Sequence, residues 1–160
     1  SGSGNDDDCD RVLLFNNGRK PDRHWSSADE LEIPATATNG TASGHVETNA
    51  ELVWTYGPPV GRERSFYCTH ISGVERLENG NTLVLMGPQG IIFEVTSGGD
   101  EVWRYVCPVM DAVEGTAECI VRQGDQRMKG RFSLFCFRRY PKTYEGFEGR
   151  ELGAGRHLEG

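Results

Sequence analysis

Between His70 and Val106 the sequence HISGVERLENGNTLVLMGPQGIIFEVTSGGDEVWRYV alternates short apolar runs with turn signals, which leaves little room for anything but strands. Ile71–Leu77 alternates loosely and stops at Glu78-Asn79-Gly80-Asn81. Asn-Gly is a strong hairpin signal, because both residues tolerate the positive φ angles of a type I′ turn. Thr82–Met86 is a second, β-branched run, broken at Gly87-Pro88-Gln89-Gly90, where proline presets φ and glycine frees it. Ile91–Thr96, the turn Ser97-Gly98-Gly99-Asp100 and Glu101–Val106 complete the set. Four antiparallel strands in about 40 residues are what one β-propeller blade contains.

The rest of the chain repeats part of this unit. Residues 1–10, with Asp6-Asp7-Asp8 and Asp10, read as a flexible acidic tail; Ser1-Gly2-Ser3-Gly4 has the look of a linker or tag scar. Arg11–Phe15 ends at Asn16-Asn17-Gly18, Ser27–Ile33 alternates apolar with acidic residues, and Glu51–Tyr56 stops at Gly57-Pro58-Pro59. These runs parallel the later ones in order: Leu13-Leu14 with Leu83-Val84, Leu31-Glu32-Ile33 with Phe93-Glu94-Val95, and Val53-Trp54-Thr55-Tyr56 with Val102-Trp103-Arg104-Tyr105. Trp54 and Trp103 are expected to pack as core between neighbouring blades. The organisation read from this is a partial blade over 11–56 with a loop insertion at 34–50, and a connection over 57–69. A complete blade comes next over 70–107, then a partial last blade and tail over 108–160. Within that tail Arg131–Arg139 (RFSLFCFRR) is a strand candidate, and Gln123–Lys129 a polar turn. The fold class is all-β, a partial propeller of about two to three four-stranded antiparallel blades.

Charge and composition exclude several functions. With 17 basic against 24 acidic residues the net charge is −7, which repels the phosphate backbone of a nucleic acid. No apolar run approaches the roughly 20 residues needed to span a bilayer as a helix. The five cysteines (Cys9, Cys68, Cys107, Cys119, Cys136) form no CxxC pair, so buried or idle thiols are expected and no metal site. Asn39-Gly40-Thr41 is a glycosylation sequon, informative only in a secreted protein. Nothing in the sequence assigns a compartment. There is no GxSxG elbow, HExxH, Walker loop or dinucleotide fingerprint.

The His70 segment carries a resemblance. A histidine, then Leu77-x-Asn-Gly-Asn-Thr-Leu83, then Gly90-Ile-Ile-Phe-Glu-Val95, then Glu101-Val-Trp-Arg-Tyr105, followed by FRRYP-KTYEGFEGREL, is similar to the arylsulfotransferase family of β-propellers. The likeness covers roughly residues 11–152 and is sharp over 70–106. It implies transfer of a sulfuryl group from an aryl sulfate to a phenol through a sulfohistidine, with no nucleotide donor, cofactor or metal. His70 occupies the place of that family's blade histidine, at the head of the expected innermost strand; several blades of the family carry such a histidine and one is the nucleophile, so a structural histidine hydrogen-bonded to the adjacent blade is the plainer role. Arg76 and Arg138 are the candidate sulfate-binding cations, with surface ion pairing as the plainer role for either. His24, His45 and His157 fall in loops or the tail and are expected to face solvent.

The family's propeller needs about six blades, and a closed one at least four. This chain therefore reads as the C-terminal part of an arylsulfotransferase-like protein, inactive as a fragment alone. Its partners would be small aryl sulfates and phenols, together with missing blades or copies of itself, because open strand edges and apolar faces invite self-association. The alternative is a non-catalytic propeller acting as an interaction scaffold, since fold does not fix function. A further pairing, Cys68 with His70 two residues apart on one strand face, would make a thiolate–imidazole couple or half a metal site.

Overall fold

The structure is a computed structural model of the 160-residue chain, and it describes residues 9–34, 50–110, 119–122 and 131–153. The chain forms two compact units, residues 1–69 and 70–160. It is all-β, with two antiparallel meanders of the kind that make incomplete propeller blades.

In the first unit β1 (Cys9–Asn16), β2 (Ser27–Pro34) and β3 (Glu51–Tyr56) pair in chain order. The second unit holds β4 (Gly73–Arg76), β5 (Thr82–Met86), β6 (Ile91–Val95) and β7 (Glu101–Val106), again in chain order. Two two-residue strands, β8 (Val109–Met110) and β9 (Cys119–Ile120), pair separately.

The register confirms an internal repeat and corrects one part of it. Leu13 stands across from Glu30, and Glu30 from Trp54; Leu83 stands across from Glu94, and Glu94 from Trp103. Each meander has a β-bulge just after that glutamate, which leaves Val53 and Val102 unopposed. Glu30, rather than Glu32, is thus the counterpart of Glu94. The spacing of apolar residues could not reveal this, because a shift of two keeps every side chain on the same face.

The turns differ from the type I′ expectation. The Leu77 carbonyl accepts from the Gly80 N–H at 2.9 Å, Leu77 N–H donates to the Asn81 carbonyl at 2.9 Å, and Gly80 alone takes positive φ, +83°. Thr96, Gly99 and Asp100 repeat this arrangement, with Gly99 at φ +89°. Both are three-residue loops, a type I turn closed by a left-handed glycine. The Gly87–Gln89 turn is one turn of 3₁₀ helix capped by Gly90 at φ +61°.

Pleat and register put Gly73, Glu75, Leu83, Leu85, Ile92, Glu94, Trp103 and Tyr105 on one face of the second sheet. Leu83, Leu85 and Ile92 are its buried core, and Leu77, Tyr105, Leu134 and Phe137 pack on them. The opposite face carries Val84, Phe93 and Val95, all buried too. Within this unit Trp103 is 42% exposed, with its ring stacked on Phe137 at 6.3 Å, and Trp54 in the first unit is half-buried.

Residues 131–139 are not a ladder strand. They form an extended strap over the first of these faces. Phe132 is buried, the Leu134 N–H donates to the Gly87 carbonyl at 3.0 Å, Phe137 stacks on Trp103, and Arg139 pairs with Glu94. Alternation of apolar residues therefore reports a face that is covered, and says nothing about ladder bonds. The 123–129 turn, most of the 34–50 loop and the 1–8 portion of the acidic tail lie outside the described residues.

Candidate functional site

The strap and β4 enclose a groove of about 390 Å³. Leu83, Leu85, Ile92, Phe135 and Phe137 give it an apolar floor and wall, while Ser72, Glu75 and Arg138 supply polar groups. A small apolar pocket with a few convergent polar groups is the usual form of a ligand site, and this one has the volume for a single aromatic ring and its substituent.

His70 is exposed and lies three residues ahead of β4 rather than within a strand. Its carbonyl accepts a hydrogen bond from the Ser72 hydroxyl at 3.0 Å, and Ser72 is part of the groove wall. The residue between them, Ile71, holds φ +43°, a conformation that β-branched residues rarely adopt. Its carbonyl oxygen lies where a side chain on Gly87 would have to begin, 1.5 Å from that ideal Cβ. Only glycine at position 87 lets the His70–Ser72 link take this path.

The three sequence candidates do not converge. Arg138 lines the groove. Arg76 falls on the opposite face of the sheet by the pleat, and its guanidinium donates to Thr82 Oγ1 at 2.6 Å and to the Gly80 carbonyl at 3.3 Å. That side chain braces its own hairpin, and with Arg139 it lines a separate cleft of about 290 Å³ rather than the groove.

Cys68 and His70 do not share a strand face. The segment between β3 and β4 is not strand there, so a two-residue spacing does not impose a common face. Cys68 is buried, with its N–H donating to Ser26 Oγ at 2.8 Å, whereas His70 is exposed. The described residues contain no group of three His, Cys, Asp or Glu arranged to hold a metal ion. Cys9, Cys68, Cys107 and Cys136 are thiols rather than disulfides. His24 is half-buried instead of facing solvent, and its Nδ1 is buried with no hydrogen-bond partner among the described residues. His45 and His157 lie outside the described residues.

Sequence reasoning missed a second polar centre. Glu94 is 4% exposed and accepts from Asn81 Nδ2 at 2.6 Å and Asn79 Nδ2 at 3.1 Å, with the Arg139 guanidinium paired to its other oxygen. The Asn81 amide, above all, then Asn79 and the Arg139 charge, hold this carboxyl below its ordinary value against the opposing effect of burial. The Asn-Gly-Asn loop and the glutamate of Phe-Glu-Val are thus one unit. Their spacing in the sequence carried the signal, but it was legible only as turn chemistry.

Comparison with family models, with curated proteins and with solved structures gives no match for this chain. No helix among the described residues is long and apolar enough to cross a membrane.

Proposed function

We propose that the chain supplies the C-terminal blades of an arylsulfotransferase-like propeller, and that the groove under the strap takes a small aromatic sulfate. The observation that carries this reading is the groove itself. Phe135, Phe137 and three aliphatic side chains offer an aromatic ring an apolar bed, and Arg138 offers the sulfate a cation. Glu75 on the same wall offsets part of that charge, so affinity for the anion is modest. His70, exposed at the entry to β4, is the nucleophile. Its neutral imidazole nitrogen attacks sulfur, an N–S bond forms as the S–O bond to the aryl oxygen breaks, and the phenoxide leaves. An acceptor phenol then loses its proton to the departed phenoxide, its oxygen bonds the sulfur as the N–S bond breaks, and the neutral imidazole is restored. Charge on the transferring oxygens needs more donors than Arg138 alone. Full turnover is therefore assigned to an assembly with further blades, and the isolated chain is inactive.

The test uses p-nitrophenyl sulfate. Binding followed by NMR should be lost in Arg138→Ala. Intact mass of the assembled protein, kept neutral or basic so that the N–S bond survives, should show a sulfuryl adduct that phenol removes and His70→Ala lacks. Binding unchanged in Arg138→Ala, or an adduct surviving in His70→Ala, refutes the assignment. The second reading, a non-catalytic interaction scaffold, is favoured by β7, where Val102, Trp103 and Val106 stand exposed on an edge strand. On that reading His70→Ala alters nothing beyond local packing.

A further inference from the structure

Glu75 is the one acidic side chain on the groove, and its place in β4 leaves it without a cation. The strand register sets it directly across from Leu83, with Gly73 and Leu85 on the same face. Its half-buried carboxylate therefore lies against an apolar floor. Two arginines line the adjoining cleft with it, and both are committed elsewhere. Arg76 donates to Thr82 and to the Gly80 carbonyl, and Arg139 pairs with Glu94. Glu75 makes no hydrogen bond or ion pair with any of the described residues.

Arg138, on the strap wall of the same groove, is in the same condition. It is exposed, and among the described residues it has neither a hydrogen bond nor an ion pair, Glu75 included. One carboxylate on the β4 wall and one guanidinium on the strap wall thus share an apolar bed without meeting. A carboxylate partly withdrawn from water is costly until a cation joins it. Space for one exists beside it. Gly73, two residues ahead of Glu75, has nothing within 4 Å of the position a Cβ would take. A glycine in a strand often marks a place where a ligand comes close to the backbone.

We infer that the groove selects a zwitterionic aromatic ligand, with its ring on the apolar bed, an anionic group at Arg138 and an ammonium group at Glu75. Under the proposed function, on which this specificity rests, the substrate class becomes an aryl sulfate that carries an amine on a short side chain. A plain aryl sulfate leaves the Glu75 carboxylate unpaired and brings a second negative charge near it. An ammonium group on the same ring removes both penalties. Glu75 is then a specificity-determining residue that rejects simple anions and admits those with a compensating cation.

The experiment is an NMR titration of the full chain with three probes. They are 4-(2-aminoethyl)phenyl sulfate, its near-isostere 4-propylphenyl sulfate, which has a methyl in place of the ammonium, and 2-phenylethylamine, which lacks the sulfate. The amine-bearing sulfate should bind about tenfold tighter than the propyl sulfate, the effect of one added charge-assisted hydrogen bond. Glu75→Gln should erase that advantage and leave the propyl sulfate bound as tightly as before or tighter. Misfolding would weaken both alike, so opposite responses separate recognition from structure. Gly73→Leu, which fills the open space, should weaken both sulfates. Equal affinity of the two sulfates, or an equal effect of Glu75→Gln on both, overturns the specificity and leaves the sulfate reading standing. Binding of neither sulfate overturns both. If 2-phenylethylamine binds as tightly as the amine-bearing sulfate, the anionic end contributes nothing and the zwitterion assignment falls. Sulfates that bind undiminished to Gly73→Leu lie outside the groove, which overturns it as well.

Discussion

Arg139 reaches Glu94 across 45 residues of sequence and closes the strap over the sheet through a carboxylate that is almost wholly out of solvent. The carboxylate already has two amide donors from the Asn79–Asn81 loop, so the two ends of this ion pair are unequal. Removing the arginine leaves a buried charge that is still hydrogen-bonded. Removing the glutamate strands two amides and a guanidinium.

Glu94→Leu should therefore cost more than Arg139→Ala. A buried acceptor with several donors is worth about 2–4 kcal/mol when deleted. Arg139 is half exposed, so solvent already screens its side of the pair, and its loss should cost roughly 1 kcal/mol. Urea unfolding of the two variants and the parent orders them. Equal costs would mean that the strap's arginine, and not the loop amides, holds the carboxylate.

The same site fixes a pH dependence. Glu94 titrates below its ordinary value of 4.5 in the folded chain, chiefly because Asn81 donates to the ionised form. A depressed folded value means that the unfolded chain binds the proton first. The stabilisation is complete above the ordinary carboxylate range and is lost as pH falls through the lowered folded value. Urea midpoints of the parent and Glu94→Gln should thus converge as pH falls from the ordinary carboxylate range through the lowered folded value. A gap that stays constant through that window would remove Glu94 as the titrating group.

Tyr105 gives the alkaline counterpart. Burial raises its phenol above the ordinary value, and the neighbouring Cys107 charge and hydrogen bond add to the rise. A raised folded value favours the neutral phenol, so its stabilisation is present below the unfolded value near 10 and is lost as pH climbs through the folded one. Absorbance titration should show a tyrosine ionising later than the others, and Tyr105→Phe should delete that late component. A late component that persists belongs to a different ring.

Strand limits were legible where apolar runs ended at glycine or proline. Glu51–Tyr56, Thr82–Met86 and Glu101–Val106 are strands with the bounds that the sequence indicates. The repeat was legible as composition, but its register depended on bulges at Val53 and Val102, which local propensity does not encode. The strap read as a strand because its residues alternate, with Phe132 and Leu134 on one face and Phe135 and Phe137 on the other. Leu134 and Phe137, from opposite faces of that pattern, both pack on the Leu83, Leu85 and Ile92 cluster. Of the candidate site, Arg138 lies beside Phe135 and Phe137 on the groove, and Arg76 donates to Thr82, a commitment that depends on the pleat and that the sequence does not spell out. The groove was invisible in the sequence, since its two walls are about 60 residues apart along the chain.

Two glycines separate conformational cost from contact cost. Gly80 and Gly90 both hold left-handed backbone, at φ +83° and +61°. Nothing lies within 4 Å of a side chain at position 80, whereas one at position 90 would meet the Phe132 carbonyl at 2.0 Å and the Cys107 Cβ at 3.1 Å. Gly80→Ala should therefore cost only the left-handed penalty, about 1 kcal/mol. Gly90→Ala bears the same penalty and must also push the strap's backbone off the end of the sheet, with a total of roughly 3 kcal/mol or more. Hydrogen exchange at Leu134, whose N–H reports the docked strap through its bond to Gly87, should quicken in Gly90→Ala and stay unchanged in Gly80→Ala. If both variants lose the same stability and leave the Leu134 amide protected, the strap does not seat on Gly90 and is not a structural element of this unit.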